Sequence, residues 1–305
     1  MGRPTVSVII SSYNYAHFLG ATVESVLAQT YPAREVIIID DGSTDNSAEV
    51  ARSFGDRVRF VEQENQGVCA ARNNGARLAT GDVLAFLDSD DLWLPHKLER
   101  QAAAFESDAE VGLVSCGIRY FNAQGETIVE YAEGKSGWCA RDILLYREPV
   151  LNTTASAVAV RRDVFERAGG FDERRELFAA EDREFAYRAA KISKLRFIPE
   201  ILVDYRIHGG NGHLNIRQME RALLFFYEKT FGQADAETRR IRRESYGNLH
   251  KILSGCYFRI SDYPSFVRHA ARSLWLTPRN IKHFAAFPVR LLRRGAGRGT
   301  HAPTP

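Results

Sequence analysis

The first 91 residues alternate regularly between short β-rich runs and longer runs whose apolar side chains recur at helical spacing. Leu19, Val23, Val26 and Leu27 show that spacing in the segment after the first β-rich run. Strands that alternate with helices of this length form a mostly parallel sheet that is covered by helices on both faces. The predicted strands are residues 6–10, 36–39, 58–61 and 83–87, and the predicted helices are 16–29, 45–54 and 67–78. The sequence therefore predicts an α/β protein with a mostly parallel sheet.

The regularity decreases after residue 91, and the last third of the chain is different again. A helix ending near residue 105 is followed by β-rich runs at 111–121, 127–131, 155–161 and 201–205. Four later segments have helical spacing, at residues 214–231, 236–253, 263–276 and 279–292. The last 11 residues are rich in Gly, Pro and Arg, a composition typical of disorder. We therefore predict a sheet domain at 1–213, a helical extension at 214–294 and a disordered tail at 295–305.

Two of the predicted strands end in carboxylates. Residues 39–43 read Ile-Asp-Asp-Gly-Ser, and residues 86–91 read Phe-Leu-Asp-Ser-Asp-Asp. Ligands of parallel α/β sheets bind outside the carboxyl ends of the strands. Mg²⁺ and Mn²⁺ take carboxylate oxygens from a protein and complete their shells with phosphates and water. The pattern therefore predicts a divalent metal, Mn²⁺ or Mg²⁺, with a phosphate-bearing ligand; turn and helix-cap aspartates are the structural alternative.

Composition and missing motifs exclude several classes of protein. The 305 residues are 45% hydrophobic and 26% charged, which is typical of a globular protein, and the net charge of +3 is too small to indicate a nucleic-acid partner. Neither G-x-G-x-x-G nor G-x-x-x-x-G-K-[ST] occurs, so a dinucleotide oxidoreductase and a P-loop enzyme are unsupported. No apolar run reaches the roughly 18 residues of a spanning helix, and the four cysteines lack C-x-x-C spacing. We therefore expect a cytoplasmic protein.

Seven short motifs follow one another in the order found in a single enzyme family. They are residues 6–14 (VSVIISSYN), 36–45 (VIIIDDGSTD), 65–73 (NQGVCAARN), 88–93 (DSDDLW), 169–173 (GGFDE), 181–182 (ED) and 205–208 (YRIH). On these motifs the chain resembles family 2 glycosyltransferases of the GT-A fold over roughly its first 213 residues. The seven motifs together are specific for the family, but they do not identify the sugar.

The resemblance implies a metal-dependent, inverting transfer of a sugar from a nucleotide-sugar to a hydroxyl group. It suggests a UDP-sugar as donor and a glycan or a lipid-linked molecule as acceptor, in the synthesis of bacterial surface polysaccharide. Residues 1–91 would form the nucleotide-binding half and residues 92–213 the acceptor-binding half. The Q-x-x-R-W signature of processive synthases is missing, which favours an enzyme that adds a single sugar.

The same resemblance assigns donor binding to six residues. These are Ser11 and Tyr13 for the nucleobase, Asp41 for the imide N–H of uracil, and Arg72, Arg206 and His208 for the diphosphate. A guanidinium near a helix N-terminus suits a diphosphate. Each assignment has a structural alternative: a packed surface aromatic for Tyr13, a solvated helix arginine for Arg72 and a structural imidazole for His208.

Carboxylates are expected to supply both the metal site and the base. A metal that bridges the phosphates stabilises the charge that develops on the leaving diphosphate. Asp90 is the first candidate ligand and Asp91 the second; Asp88 would ligate the metal, or hold the ribose or a metal-bound water. Asp182 corresponds to the base that removes the acceptor proton, with Glu181 orienting the acceptor or bracing Asp182. The structural alternative for Asp182 is an acid favoured by a helix N-terminus.

Several interpretations remain open at the level of sequence. The basic amphipathic segment 279–292 suits the surface of an anionic membrane, on the inner face of the cytoplasmic membrane, but it also suits packing on the catalytic domain. Dimerisation through the C-terminal helices is equally compatible. The rival functions are a non-catalytic nucleotide-sugar-binding scaffold and a nucleotidyltransferase; residues 11–18 lack the Gly-rich basic loop that a nucleotidyltransferase needs.

Overall fold

The computed structural model describes residues 3–152, 154–209 and 215–286. The predicted tail, the end of the predicted 279–292 helix and the predicted 213/214 boundary lie outside these ranges. The chain divides into two compact units. The sheet unit comprises Met1–Ala140, Pro149–Arg174 and Glu181–Gly209, and the helical unit comprises Arg141–Glu148, Arg175–Ala180 and Gly210–Pro305. The helical unit therefore includes two short segments from within the predicted sheet domain.

The alternation predicted for the first 91 residues is confirmed. In chain order the elements there are β1 (Val6–Ser12), α1 (Ala16–Leu27), β2 (Glu35–Asp40), α2 (Ser47–Arg52), β3 (Arg59–Glu62), α3 (Val68–Leu78) and β4 (Val83–Asp88). The elements that follow are β5 (Leu92–Trp93), α4 (Lys97–Ser107), β6 (Val111–Phe121), β7 (Thr127–Tyr131), α5 (Ala140–Leu145), β8 (Ala159–Arg161), α6 (Arg162–Ala168), α7 (Glu181–Ala190) and β9 (Lys194–Arg206). The remaining helices are α8 (Ile216–Gly232), α9 (Ala236–Arg240), α10 (Arg242–Arg259), α11 (Tyr263–Leu276) and α12 (Ile281–Ala285).

All nine strands form one sheet in the order β3-β2-β1-β4-β8-β6-β9-β5, with β7 paired to β6. The pairs among β1, β2, β3 and β4 are parallel. The second half is mixed, because β8 runs antiparallel to β4 and β6 while β6 and β9 are parallel. Every residue of β1 is buried, which is expected of a parallel strand with both faces covered. Helix α3 packs so closely on the sheet that a Cβ at Gly75 would collide with Ile9.

Three elements differ from the sequence pattern. Strand β9 begins seven residues before the predicted run at 201–205. The sequence pattern missed its first part because Pro199 interrupts the run of strand-forming residues. The register with β6 also shifts, at Gly117. The predicted strand at 155–161 is a 3₁₀ turn, Ala155–Ala157, followed by the short β8. The predicted helix 236–253 is interrupted at Ile241, where α9 ends and α10 begins.

The helical unit has its own buried core. Tyr227 on α8 donates its hydroxyl to the carbonyl of Leu144, and Asn248 on α10 donates to the carbonyl of Leu145. Helices α10 and α11 meet at two buried histidines, His250 and His269, whose Nδ1 atoms are 2.9 Å apart. Within the described ranges, no helix is both long enough and apolar enough to span a bilayer.

Candidate active site

The acidic strand ends lie side by side at one edge of the sheet. In the parallel register, Ser11 on β1 is beside Asp88 on β4, and Ser12 is beside Asp40 on β2. The Ser11 hydroxyl donates to Asp88 Oδ1 at 3.3 Å. The edge predicted from the sequence to collect carboxylates does collect them.

Asp41 organises the loop that precedes α3. Its Oδ1 accepts hydrogen bonds from the side chain of Gln63 at 2.7 Å and the amide of Gln66 at 2.9 Å, and its Oδ2 accepts from the amide of Gly67 at 2.8 Å. A carboxylate has about four acceptor positions, so three bonds leave room for one more donor. This remaining position suits the imide N–H that the sequence assigned to Asp41.

The end of β1 is tied to the turn after β2. Asn14 has a positive φ of 56°; its amide donates to the Ser43 hydroxyl and its Oδ1 accepts from the amide of Thr44, both at 2.8 Å. Tyr13, one residue earlier, is 47% exposed. A fixed backbone with an exposed ring is an arrangement on which a nucleobase can stack.

Asp90 pairs with His208. The Oδ2 atom of Asp90 lies 2.8 Å from Nε2 of His208, and the guanidinium of Arg206 donates to the carbonyl of Asp90 at 2.9 Å. The His208 ring packs against Tyr15 and Phe18, each with 5.2 Å between ring centroids. The motif at 205–208 therefore meets the acidic run.

Asp91 is held differently from its neighbour. Its side chain is buried; Oδ2 accepts from the Ser156 hydroxyl at 2.6 Å and Oδ1 accepts from the amide of Arg206 at 3.0 Å. Burial, followed by the charges of Asp90 and Asp88, raises the pKa of Asp91 well above its usual value. Asp91 is 0% exposed, so its remaining acceptor positions are closed to a ligand, and Asp91 serves here as a structural acceptor.

Arg72 joins two carboxylates, Asp88 and Asp182. Its guanidinium is buried and donates to Asp88 Oδ1 at 2.6 Å and to Asp182 Oδ1 at 3.0 Å. These two anions raise the pKa of Arg72 despite its burial. The guanidinium predicted to hold a diphosphate therefore forms part of a continuous chain from Ser11 through Asp88 and Arg72 to Asp182.

Asp182 lies in the first turn of α7, and its Oδ2 accepts from the amide of Ala155 at 3.1 Å. Burial raises the pKa of Asp182 to about 7; the Arg72 cation opposes this rise, while Glu181 and Asp88 add to it. A base works best when its pKa is near the working pH. The carboxyl group therefore has the protonation behaviour that a base acting near neutral pH requires.

The donor atoms at this edge suit a divalent metal bound mainly by its phosphate ligand. The described residues contain no cluster of three or more His, Cys, Asp or Glu side chains able to hold a metal by themselves. The facing oxygen of Asp90 and nitrogen of His208 are a carboxylate and an imidazole, both accepted by Mn²⁺, and phosphates and water would complete the shell. Burial, followed by the charges of Asp90, Asp88 and Asp91, raises the pKa of Tyr15 to about 12.

Four residues of this edge were not predicted from the sequence. Tyr15 and Phe18 pack on His208, Asn14 ties two strand ends together, and Ser156 bonds to Asp91 and accepts from the amide of Asp88. Asn14 has a local signal, because asparagine tolerates positive φ in turns. Ser156 has none, since the partners of its side chain are 65 and 68 residues away in the chain.

A mixed α/β sheet with carboxylates at the carboxyl ends of its strands is a fold class that binds ligands at that edge. Residues 7–169 match the sequence profile described as glycosyl transferase family 2. The chain belongs to this family, and the resemblance found in its motifs is confirmed.

Bacterial relatives agree with this assignment. A glycosyltransferase of Nostoc sp. strain PCC 7120 is 37% identical over 221 residues, which cover 69% of this chain and 67% of the relative. A glycosyltransferase of Rickettsia typhi is 29% identical over 214 residues, covering 67% of this chain and 64% of the relative. The chain spans only 36% of a similar glycosyltransferase of Rickettsia felis.

Solved structures confirm the predicted GT-A fold with C-terminal helices. A mannosyltransferase from Pyrobaculum calidifontis, in complex with GDP-Man and Mn²⁺, matches 97% of this chain and 80% of its own, with a TM-score of 0.62 and 21% identity. S. aureus TarS 1–349, in complex with UDP-GlcNAc, matches 90% of this chain and 82% of its own, with a TM-score of 0.61 and 17% identity. At these identities the likeness concerns the fold.

Proposed function

We propose that this chain is an inverting, metal-dependent glycosyltransferase that moves a sugar from a nucleotide-sugar, a UDP-sugar, to a hydroxyl group of the acceptor. The observation that carries the proposal is the chain of contacts from Ser11 through Asp88 and Arg72 to Asp182. It joins a strand edge suited to a phosphate ligand with a carboxyl group suited to removing a proton.

Asp182 is the proposed base. In-line displacement needs the acceptor hydroxyl to lose its proton on the face of the sugar opposite the leaving group. The pKa of Asp182, raised to about 7 by burial, suits a carboxylate that takes a proton near neutral pH. The Arg72 guanidinium, 3.0 Å away, keeps the charged form populated and fixes the orientation of the carboxylate. Glu181, buried beside it, would orient the acceptor.

The donor would bind along the strand ends. Tyr13 and Ser11 would contact the nucleobase, and the remaining acceptor position of Asp41 would take the imide N–H of uracil. Asp90 and His208 would hold the metal, which stabilises the negative charge on the departing diphosphate. Asp88 would contact the ribose, and the guanidinium groups of Arg72 and Arg206 would attract the negatively charged phosphates. The Mn²⁺ complex of the Pyrobaculum mannosyltransferase supports a metal, and the UDP-GlcNAc complex of TarS supports a UDP-sugar.

The acceptor would be a glycan or a lipid-linked molecule of the bacterial cell envelope, handled on the cytoplasmic side of the membrane. The support for this step is that the relatives named above come from bacteria. Dimerisation through the C-terminal helices stays a prediction, as does membrane contact through 279–292, most of which lies outside the described residues.

Two variants separate the base from the metal site. Asp182→Asn keeps the shape of the side chain but removes the base, so we expect transfer to fall by about 10²–10⁴-fold while donor binding persists. Asp90→Ala should lose metal-dependent donor binding together with transfer. Product formation from a panel of nucleotide-sugars and calorimetric titration with UDP and Mn²⁺ measure these two properties.

Asp163→Asn is the matched control, because Asp163 is an exposed acid on α6 of the same unit. It should leave both properties unchanged. Equal loss of donor binding in the Asp182 and Asp90 variants would contradict the division of roles. Donor binding with no transfer to any acceptor, and no donor hydrolysis, would favour the scaffold.

A further inference from the structure

The helical unit carries most of the exposed large hydrophobic side chains of the described residues. Eight large hydrophobic side chains are exposed in the described ranges, and five of them lie between residues 260 and 281. They are Ile260, Tyr263, Val267, Trp275 and Ile281. Trp275 is 75% exposed, an unusual state for the largest apolar side chain. A concentration of this kind marks an interaction surface.

Helix α11 presents a stripe with two kinds of side chain. At about 100° per residue, Tyr263, Val267 and Trp275 fall within about 120° of the helix circumference. Arg268 and Arg272 lie just beyond Trp275 on the same side by this geometry. The opposite side of α11 carries the buried His269 and Ser273. The exposed side of α11 is therefore apolar and is bordered by cations.

A basic cleft adjoins the Trp275 end of α11. The cleft has a volume of about 660 Å³ and is lined by Arg239, Arg240, Arg242 and Arg243, with Tyr246, Leu276 and one acid, Glu228. Arg243 donates to the main-chain carbonyls of Trp275 and Leu276 at 3.1 and 2.9 Å. These two bonds make the C-terminal end of α11 part of the cleft wall.

The positive charge of this cleft is not neutralised by ion pairs. Among the described side chains, no carboxylate oxygen lies within 4.0 Å of the four lining guanidinium groups. Residues 215–286 contain 13 basic and six acidic residues, although the whole chain has a net charge of only +3. The excess positive charge of the protein is thus concentrated in the unit that also exposes Trp275.

We propose that the Arg-lined cleft and the exposed apolar side of α11 together bind the surface of an anionic phospholipid bilayer. The Arg-lined cleft takes lipid phosphate groups, since guanidinium groups bind phosphate oxygens in pairs. Tyr263, Val267 and Trp275 enter the interfacial layer, where amphipathic aromatic rings are favoured. These residues lie outside the 279–292 segment, and their contact with lipid does not depend on sugar transfer.

The positive charge of the cleft disfavours two other binding partners, a second copy of this chain and residues 287–305. A second copy of this chain would bring the same excess of arginine to the contact, and like charges oppose such pairing. Residues 287–305 contain four arginines and no acidic residue, so they do not complement a basic cleft either. A surface of anionic headgroups complements both the charge and the apolar stripe.

The test is sedimentation of the purified full chain with vesicles of phosphatidylcholine, with and without phosphatidylglycerol. We expect binding to the anionic vesicles only, and loss of that binding at high salt. The double variant R239A/R240A and the single variant W275S should each weaken binding by about 10-fold or more. In a W138S background the remaining tryptophans are the buried Trp93 and the exposed Trp275, so the emission should shift to shorter wavelength when anionic vesicles take up Trp275.

Matched controls lie on the sheet unit. R59A/R77A removes two exposed arginines, and W138S removes a tryptophan that is 57% exposed; both should bind vesicles like the parent chain. Circular dichroism and the thermal midpoint verify that each variant is folded. Equal binding to both kinds of vesicle, equal losses in test and control variants, or binding of inorganic phosphate without vesicle binding would each overturn the proposal.

Discussion

Asp182 is subject to two opposing influences on its charge. Burial raises its pKa to about 7, and the neighbouring Arg72 guanidinium favours the carboxylate. A base is active only when it is deprotonated, and Asp182 is deprotonated above its pKa. The activity of the enzyme should therefore rise with pH through about 7 and level off above it.

Replacing Arg72 should move this pH dependence in a defined direction. Arg72→Gln removes the cation that lowers the pKa of Asp182, so the rising limb of kcat/KM should shift to higher pH. Arg72→Lys keeps the charge but not the two-pronged contact, and we expect a smaller shift. A pH–rate profile for each variant gives the answer, and a limb that stays in place would show that Asp182 is not the titrating base.

Asp91 and Asp90 are neighbours with different surroundings. Asp91 has protein donors on both oxygens, so Asp91→Asn should keep metal-dependent donor binding. Asp90→Asn removes a charged oxygen that faces His208, and we expect a loss of metal affinity of about 100-fold or more. Titration of Mn²⁺ in the presence of UDP compares the two, and similar losses would place Asp91 among the metal ligands.

At the scale of elements, the turn after β2 positions the edge proposed to bind the donor. Gly42 has a φ of 79°, and a Cβ there would lie 3.0 Å from the amide nitrogen of Asn65. Gly42→Ala should cost about 1–2 kcal/mol of stability and push away the loop that Asp41 holds. We expect weaker donor binding, measured by calorimetry, together with a lower midpoint in urea.

Gly55 provides the control for this variant. It has a φ of 56°, but a Cβ at Gly55 would have no atom within 4 Å beyond its chain neighbours. Gly55→Ala should therefore show backbone strain alone, with a similar loss of stability and unchanged donor affinity. If both variants weakened donor binding equally, the displaced loop would not be the cause.

At the scale of the whole molecule, ligand binding should be visible as stability. A ligand that binds only the folded state raises the thermal midpoint, by about 4 °C when it is present at about 100 times its Kd. We expect UDP or a UDP-sugar to do so in the presence of Mn²⁺ and much less without it. A shift with GDP alone would contradict the uracil assignment of Asp41, and no shift with any nucleotide would favour a scaffold.

Much of the sheet unit followed from local patterns in the sequence. The strands β1, β2 and β4 were predicted because buried parallel strands are continuous apolar runs, and their acidic ends are directly readable. The predicted strand at 155–161 includes β8 but begins four residues too early, and the first part of β9 was not predicted, since a strand containing Pro199 has no clear local period. The pairing of β8 between β4 and β6 depends on contacts between distant parts of the chain.

By itself, the sequence determined the fold class, the family and the carboxylates that gather at one edge of the sheet, because each depends on residues close together in the chain. Only the tertiary structure decided how the acidic residues differ. Ser156 and the amide of Arg206 donate hydrogen bonds to the two carboxylate oxygens of Asp91. His208 faces Asp90, and Arg72 connects Asp88 to Asp182. Charge, burial and pKa depend on these distant neighbours, and folding alone brings them together.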